Sequence, residues 1–167
     1  RIHEDKSQRK AKLESVIKET IKNGGTLMIP SFAMERTQEL LFELNDMVNN
    51  GTIPQVPVFV DSPLANRLTE VYEKYPRYFN EHSTYLIESG DDIFTFPMLR
   101  LTSSVEESKA INNVPSPKII IAGSGMSNGG RILHHEMRYL SDPNSTILFV
   151  GYQVMGSMGR QILDGAR

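Results

Sequence analysis

Residues 118–140 read KIIIAGSGMSNGGRILHHEMRYL: a buried-strand run breaks into a glycine-rich loop that opens directly onto an amphipathic helix. α/β proteins hold phosphate with this arrangement. Gly123, Gly125, Gly129 and Gly130 remove the Cβ obstacle to unusual backbone conformations, so successive N–H groups can converge on an anion. The following helix adds its positive end, and Arg131 stands at its mouth. The loop, G-x-G-x-x-x-G-G, is neither the dinucleotide fingerprint nor a Walker A loop, because no Gly-Lys-Ser/Thr follows.

The same architecture recurs along the chain. Thr26–Ile29 (TLMI), Pro57–Val60 (PVFV), Lys118–Ala122 (KIIIA) and Thr146–Val150 (TILFV) are short apolar runs with the length and continuity of strands buried on both faces. Their exits begin PSFAMER at Pro30, DSPLA at Asp61, GSGMSNGG at Gly123 and GYQVMGS at Gly151, and helical patterns follow. This alternation predicts an α/β fold, a Rossmann-like parallel sheet flanked by helices. Ligands bind such sheets outside the carboxyl ends of the strands, where the glycine, polar and aromatic residues collect here.

Composition narrows the function classes. A chain of 167 residues is one domain's worth, large enough to bury a core without staples. With no cysteine, disulfides, thiolate metal sites and a cysteine nucleophile are excluded, which agrees with a reducing, cytoplasmic setting. No apolar run has transmembrane length, so no membrane partner is expected. The formal net charge of −2 argues against a domain held on nucleic acid by bulk positive charge; any polyanion must be met locally. Arg1–Lys22 carries seven Lys/Arg against four Asp/Glu, whereas Glu35, Glu39, Glu43 and Asp46 follow on the next helix, a pattern of solvated helix faces.

Helical spacing puts Leu13, Val16, Ile17, Thr20 and Ile21 on one stripe of Lys6–Lys22, stopped by Asn23-Gly24-Gly25. After Pro30, Leu40, Leu41, Leu44, Met47 and Val48 form a buried face that also contains Arg36. Arg36 either reaches an oxyanion above the strand ends or forms an ion pair with Glu39 or Asp61. Ser62-Pro63 reads as N-cap and first helical residue of a helix with Leu64, Leu68, Val71 and Tyr72 facing inward, ended at Tyr75-Pro76. Asp61 then sits at a strand tip, where a carboxylate binds a metal or ribose hydroxyl, or caps and pairs. Tyr78–Pro97 reads as an irregular excursion over the sheet edge. Leu99–Thr102 reads as a further strand, and Ser104 with Glu107 as a capping box.

His3, His82, His134 and His135 do not make a metal site by spacing, since adjacent helical residues point about 100° apart. No H-x-H-x-D-H or H-E-x-x-H motif is present, and no plausible Ser/His/Asp order stands out. Read from its residues alone, the chain holds a ligand and carries no catalytic residues or cofactor of its own.

The segments GGTLMIPSFAMERTQELLFEL, VFVDSPLA, IIIAGSGMSNGGRILHH and FVGYQVMGSMGRQIL, in this order, resemble the β-CASP domain of RNA-processing metallo-β-lactamase-fold nucleases. Relatives include RNase J and the endonuclease of the cleavage-and-polyadenylation complex. The match spans almost the whole chain, and the third segment is similar to the bacterial and archaeal type. The resemblance implies that residues 1–167 are one β-CASP domain excised from within a metallo-β-lactamase-fold nuclease, with both termini on one side. It also implies that RNA runs through the cleft between the two domains, and that zinc and catalysis belong to the companion domain of the parent hydrolase, a zinc-dependent ribonuclease. The acidic motif before Arg1 and the histidine motifs beyond Arg167 would lie outside this chain.

By position, the resemblance makes Ser31, Phe32, Arg36 and Gln38 of the first exit and Asp61 and Ser62 of the second RNA-contacting residues. It adds Gly123, Ser124, Gly125, Met126, Ser127, Gly129, Gly130 and Arg131 of the third, and Tyr152 and Gln153 of the fourth. Amides and arginine suit phosphate, aromatic rings suit bases, and Ser and Gln suit ribose or base edges. Rival readings are an autonomous nucleotide-binding module, a protein-interaction domain, and the β-CASP domain of a DNA nuclease. Against the first, Thr146–Val150 ends in Gly151 rather than in an acidic ribose partner.

Overall fold

The computed structural model describes residues 6–165. Its elements run α1 (Lys6–Lys22), β1 (Thr26–Pro30), α2 (Arg36–Asn49), β2 (Val58–Asp61), α3 (Pro63–Lys74), α4 (Glu81–Glu88), β3 (Leu99–Thr102), α5 (Val105–Ala110), β4 (Lys118–Ala122), α6 (Ile132–Tyr139), β5 (Thr146–Ile147) and α7 (Met158–Leu163). The strands form one sheet of order β3-β2-β4-β1-β5, and every pair is parallel.

Strand periodicity divides the core between the two faces of this sheet. Leu27, Ile29, Val58, Val60, Ile119 and Ile121 pack with Leu13 and Ile17 of α1, Leu40, Leu41, Leu44 and Met47 of α2, and Ala65 of α3. Among the described residues, the alternate residues Met28, Phe59, Ile120 and Ala122 meet Ile111 and Ile132 as buried partners, with Val114, Tyr139 and Ile147 partly buried against them. At the amino end of β4, Lys118 is 2% exposed. Its ammonium donates to the carbonyls of Ile111 (2.9 Å) and Val114 (2.6 Å) over the Tyr139 ring.

The crossovers create the crevice. β1 feeds α2 and then β2, on one side of β4, whereas β4 feeds α6 and then β5, on the far side of β1. Neighbouring strands β1 and β4 therefore send their chains in opposite directions, the topology found at the binding crevices of open parallel sheets. The Ser31 amide, donating to the Ala122 carbonyl at 2.9 Å, closes the last rung below it.

Four expectations are corrected. The fifth strand pairs only at Thr146 and Ile147, with one further bond from the Leu148 amide to the Met28 carbonyl. It is a half-buried edge, because β1 is its sole neighbour and Leu148 and Val150 turn onto the larger core instead. Tyr78–Pro97 contains α4, capped by Asn80 Oδ1 accepting from the Ser83 amide (2.8 Å), and it buries Ile93, Phe94 and Phe96. Phe94 and Phe96 are core, with Phe94 edge-on to Tyr72 and Phe79, whereas Tyr78 and Tyr85 are exposed. The inward face of α3 is Ala65, Asn66 and Thr69, with Tyr72 packed on the core as expected, while Leu64 and Val71 are 54% and 47% exposed. Asn66 and Thr69 turn inward because acceptors await them, Asn66 Nδ2 donating to the Thr102 carbonyl at 2.8 Å. Arg36 is half-exposed rather than on the buried face, and it pairs with Glu39. The stripe of α1 and the apolar face of α2 are as expected, and Ser104 and Glu107 make both bonds of the capping box. His3 and the two termini lie outside the described residues.

Candidate nucleic-acid interface

The third exit is a compact loop folded back on itself. The Ser124 amide donates to the Gly129 carbonyl (3.0 Å), the Asn128 amide to Ser124 Oγ (3.1 Å), and the Ile132 amide to the Gly123 carbonyl (2.9 Å). Gly130 has φ +79°, and a Cβ there would lie 2.4 Å from the Gly123 oxygen, so only glycine closes this turn. Among the described residues, no hydrogen bond engages the amides of Gly129, Gly130 and Arg131 at the head of α6. They are three consecutive donors at the positive end of a helix.

The other exits brace this loop. The Phe32 ring lies against Gly125, where a Cβ would come within 2.8 Å of it, and within 3.6 Å of a Cβ placed on Gly151. The ring is 44% exposed, and Tyr152 beside Gly151 is 64% exposed. Gln153 is buried, its Nε2 donating to the carbonyls of Gly125 (2.9 Å) and Gly151 (3.1 Å). The Gly159 amide donates to the Met126 carbonyl and the Met158 amide to Asn128 Oδ1, each at 2.9 Å. Ser127, at φ 55°, hydrogen-bonds the buried Glu136, whose carboxyl burial pushes up.

Below the loop lies a polar hub. Asp61 is fully buried, and each of its oxygens accepts two hydrogen bonds: Oδ1 from Thr102 Oγ1 (2.6 Å) and Arg131 Nη1 (2.7 Å), Oδ2 from Ser108 Oγ (2.6 Å) and His135 Nε2 (2.8 Å). Burial alone would raise its carboxyl. The donors from His135, Ser108, Thr102 and Arg131 outweigh burial and hold it well below the usual carboxylate range. Ser108 and His135 share one oxygen of Asp61 rather than bonding in series, so the three do not form a nucleophilic relay. Arg131 also donates from Nη2 to the Ser103 carbonyl (3.0 Å), and its side chain keeps 20% of its surface open.

The expected contact residues thus fall into two groups. Phe32, Arg36, Ser62, Gly123, Ser124, Met126, Gly129, Gly130, Arg131 and Tyr152 reach the surface, whereas Ser31, Gln38, Asp61, Gly125, Ser127 and Gln153 are buried. Ser62 is occupied as the N-cap of α3, and Gln38 ties the Ala33 carbonyl to Thr69. Direct contact with a ligand is closed to the buried six in this conformation; they set the shape of the loops. Sequence reading missed His135, Ser108 and Thr102, although the four-residue spacing of Arg131, the N-cap of α6, and His135 one turn into the helix places both on one side. An open depression of about 640 Å³ between the first and second exits is lined by Phe32, Met34, Arg36, Glu39, Leu64 and Leu68. Among the described residues, no three His, Cys, Asp or Glu side chains come together to hold a metal ion.

Residues 37–162 match the family described as the Beta-Casp domain. The chain is similar to ribonuclease TTHA0252 of Thermus thermophilus, 40% identical over 148 residues that cover 89% of this chain and 34% of that protein. It is 36% identical to the transcription termination factor FttA of Methanosarcina mazei over 154 residues, 92% of this chain and 24% of the relative. An RNase J-like protein of Methanocaldococcus jannaschii is 34% identical over 151 residues, 90% of this chain and 34% of the relative. The chain spans about a third or less of the length of these relatives.

Proposed function

The chain belongs to the Beta-Casp domain family, and from that premise we propose that it is the RNA-contacting wall of a zinc-dependent ribonuclease, clamping substrate over a catalytic centre carried by a companion metallo-β-lactamase domain of the same protein. One observation carries the reading: three unengaged amides, Gly129 to Arg131, stand at a helix mouth beside the Arg131 guanidinium, whose side chain keeps 20% of its surface open, flanked by the loops that expose Phe32 and Tyr152. Amide donors with a guanidinium meet phosphate oxygens without bulk positive charge, and the two rings offer stacking faces to unpaired bases. This explains how a chain of net charge −2 engages a polyanion.

The surface around the loops supports a companion domain. Met34 and Leu64, 60% and 54% exposed, line one open depression with Phe32, an exposed apolar patch of the kind that marks an interface. Zinc and the hydrolytic chemistry are assigned to that domain, and the chain alone is inert. Among the described residues no helix is long and apolar enough to cross a membrane, and the proposed setting is the cytoplasm.

The test is RNA affinity of the full-length protein at several salt concentrations. Arg131→Ala weakens binding by about 1–3 kcal/mol, the magnitude of a charge-assisted contact, with little regard to RNA sequence. Unchanged affinity in a stably folded variant removes the loop from the binding surface and leaves its glycines as turn residues.

A further inference from the structure

We infer that Asp61 is a positioning residue, which presets the Arg131 guanidinium so that its free edge, rather than a mobile cation, meets the bound phosphate. This rests on the RNA reading above and adds to it the part played by a residue that cannot itself touch the ligand.

The geometry has three parts. First, the fork of Arg131 spans two fixed acceptors, Asp61 Oδ1 at the end of β2 and the Ser103 carbonyl just after β3. An arginine held at two points keeps its remaining N–H groups in a set plane, which a point charge on a flexible stem cannot do. Second, Asp61 is itself immobilised from three further directions, by Thr102 on β3, Ser108 on α5 and His135 on α6. Third, His135 lies one turn after Arg131, so α6 is pinned to the same carboxylate twice. The ring pays for this in polar contacts: the carboxylate can only accept, so Nε2 carries the proton, and Nδ1 is buried without a partner. Satisfying its own hydrogen bonds has not decided the position of His135; reaching Asp61 has.

Pre-orientation of this kind lowers the conformational cost of binding, because the side chain is ordered before the ligand arrives. It also predicts that charge alone will not substitute for Arg131.

The experiment uses the full-length protein, an unstructured RNA oligonucleotide and thermal unfolding as a control. Arg131→Ala and Arg131→Lys should each weaken RNA binding, by roughly tenfold, because the lysine ammonium is captured by Asp61 and has no second edge to offer. Asp61→Asn should cost a similar factor in the wild-type background and nothing further in the Arg131→Ala background, the non-additivity of two residues acting as one unit. Wild-type affinity in Arg131→Lys overturns the inference, as do losses from Asp61→Asn and Arg131→Ala that simply multiply. If Asp61→Asn does not fold, Arg131→Lys decides. Unchanged affinity in Arg131→Ala has a separate meaning: the loop does not bind RNA, and the reading on which this inference rests falls with it.

Discussion

At the scale of single residues, neighbouring glycines in one loop do different work. Gly130 combines φ +79° with a Cβ position 2.4 Å from the Gly123 oxygen, whereas a Cβ on Gly129 meets nothing within 4 Å. Gly130→Ala should therefore destabilise the domain by on the order of 2 kcal/mol or more, through left-handed strain and backbone collision. Gly129→Ala should stay within about 0.5 kcal/mol in the same denaturant titration; equal losses would mean that the turn is not closed as described. Asp61 makes a second prediction. Its native-state pKa is lowered by its donors, so its contribution to stability is fully present above the ordinary carboxylate range, roughly pH 4, and is lost as pH falls below it. Unfolding free energy measured from neutral pH downward should decline less steeply in Asp61→Asn than in the wild type. Parallel curves would mean that the carboxylate is no better held in the native state than in the unfolded chain.

At the scale of elements, α3 inverts the usual rule. Its polar Asn66 and Thr69 face the sheet while Leu64 and Val71 face outward, with Leu64 and Leu68 lining the open depression beside Phe32. Asn66→Ala strands the Thr102 carbonyl in the interior and should cost about 1–3 kcal/mol. In the isolated chain, Leu64→Ser on the same helix should cost no more than about 0.5 kcal/mol, since it removes no buried contact. Chemical denaturation of both variants checks the contrast, and the reverse order would restore the amphipathic orientation read from spacing. In a protein carrying the proposed companion domain, Leu64→Ser is instead expected to weaken the association of the two domains.

At the scale of the whole molecule, β1, β2 and β4 each have strand neighbours on both sides, whereas β3 and β5 form the edges. The sheet's interior strands are buried throughout, but β5 is half-exposed along its short length. Native-state hydrogen exchange should be slowest at the amides of Ile119 to Ile121 and fastest, among strand residues, at β5, because local opening follows burial and hydrogen-bond density. Equal protection of Ile147 and Ile120 would show that the carboxyl-terminal segment is part of the cooperative core.

The sequence alone determined the class of fold, the order of four strands and their helices, the α1 and α2 core faces and the glycine loop at a strand exit. These are legible because periodicity, caps and breakers act within a few residues of each other. It also supplied the family resemblance, which the Beta-Casp match over residues 37–162 bears out. Tertiary structure alone decided which expected contact residues face outward, that Gly125 accommodates Phe32, and that the inward side of α3 is polar. It alone brought Asp61, Thr102, Ser108, Arg131 and His135 together from two strands, two helices and a loop. Hydrogen bonds between groups up to 74 residues apart leave no local pattern, because their partners become neighbours only when the parallel sheet brings distant strand ends to one edge.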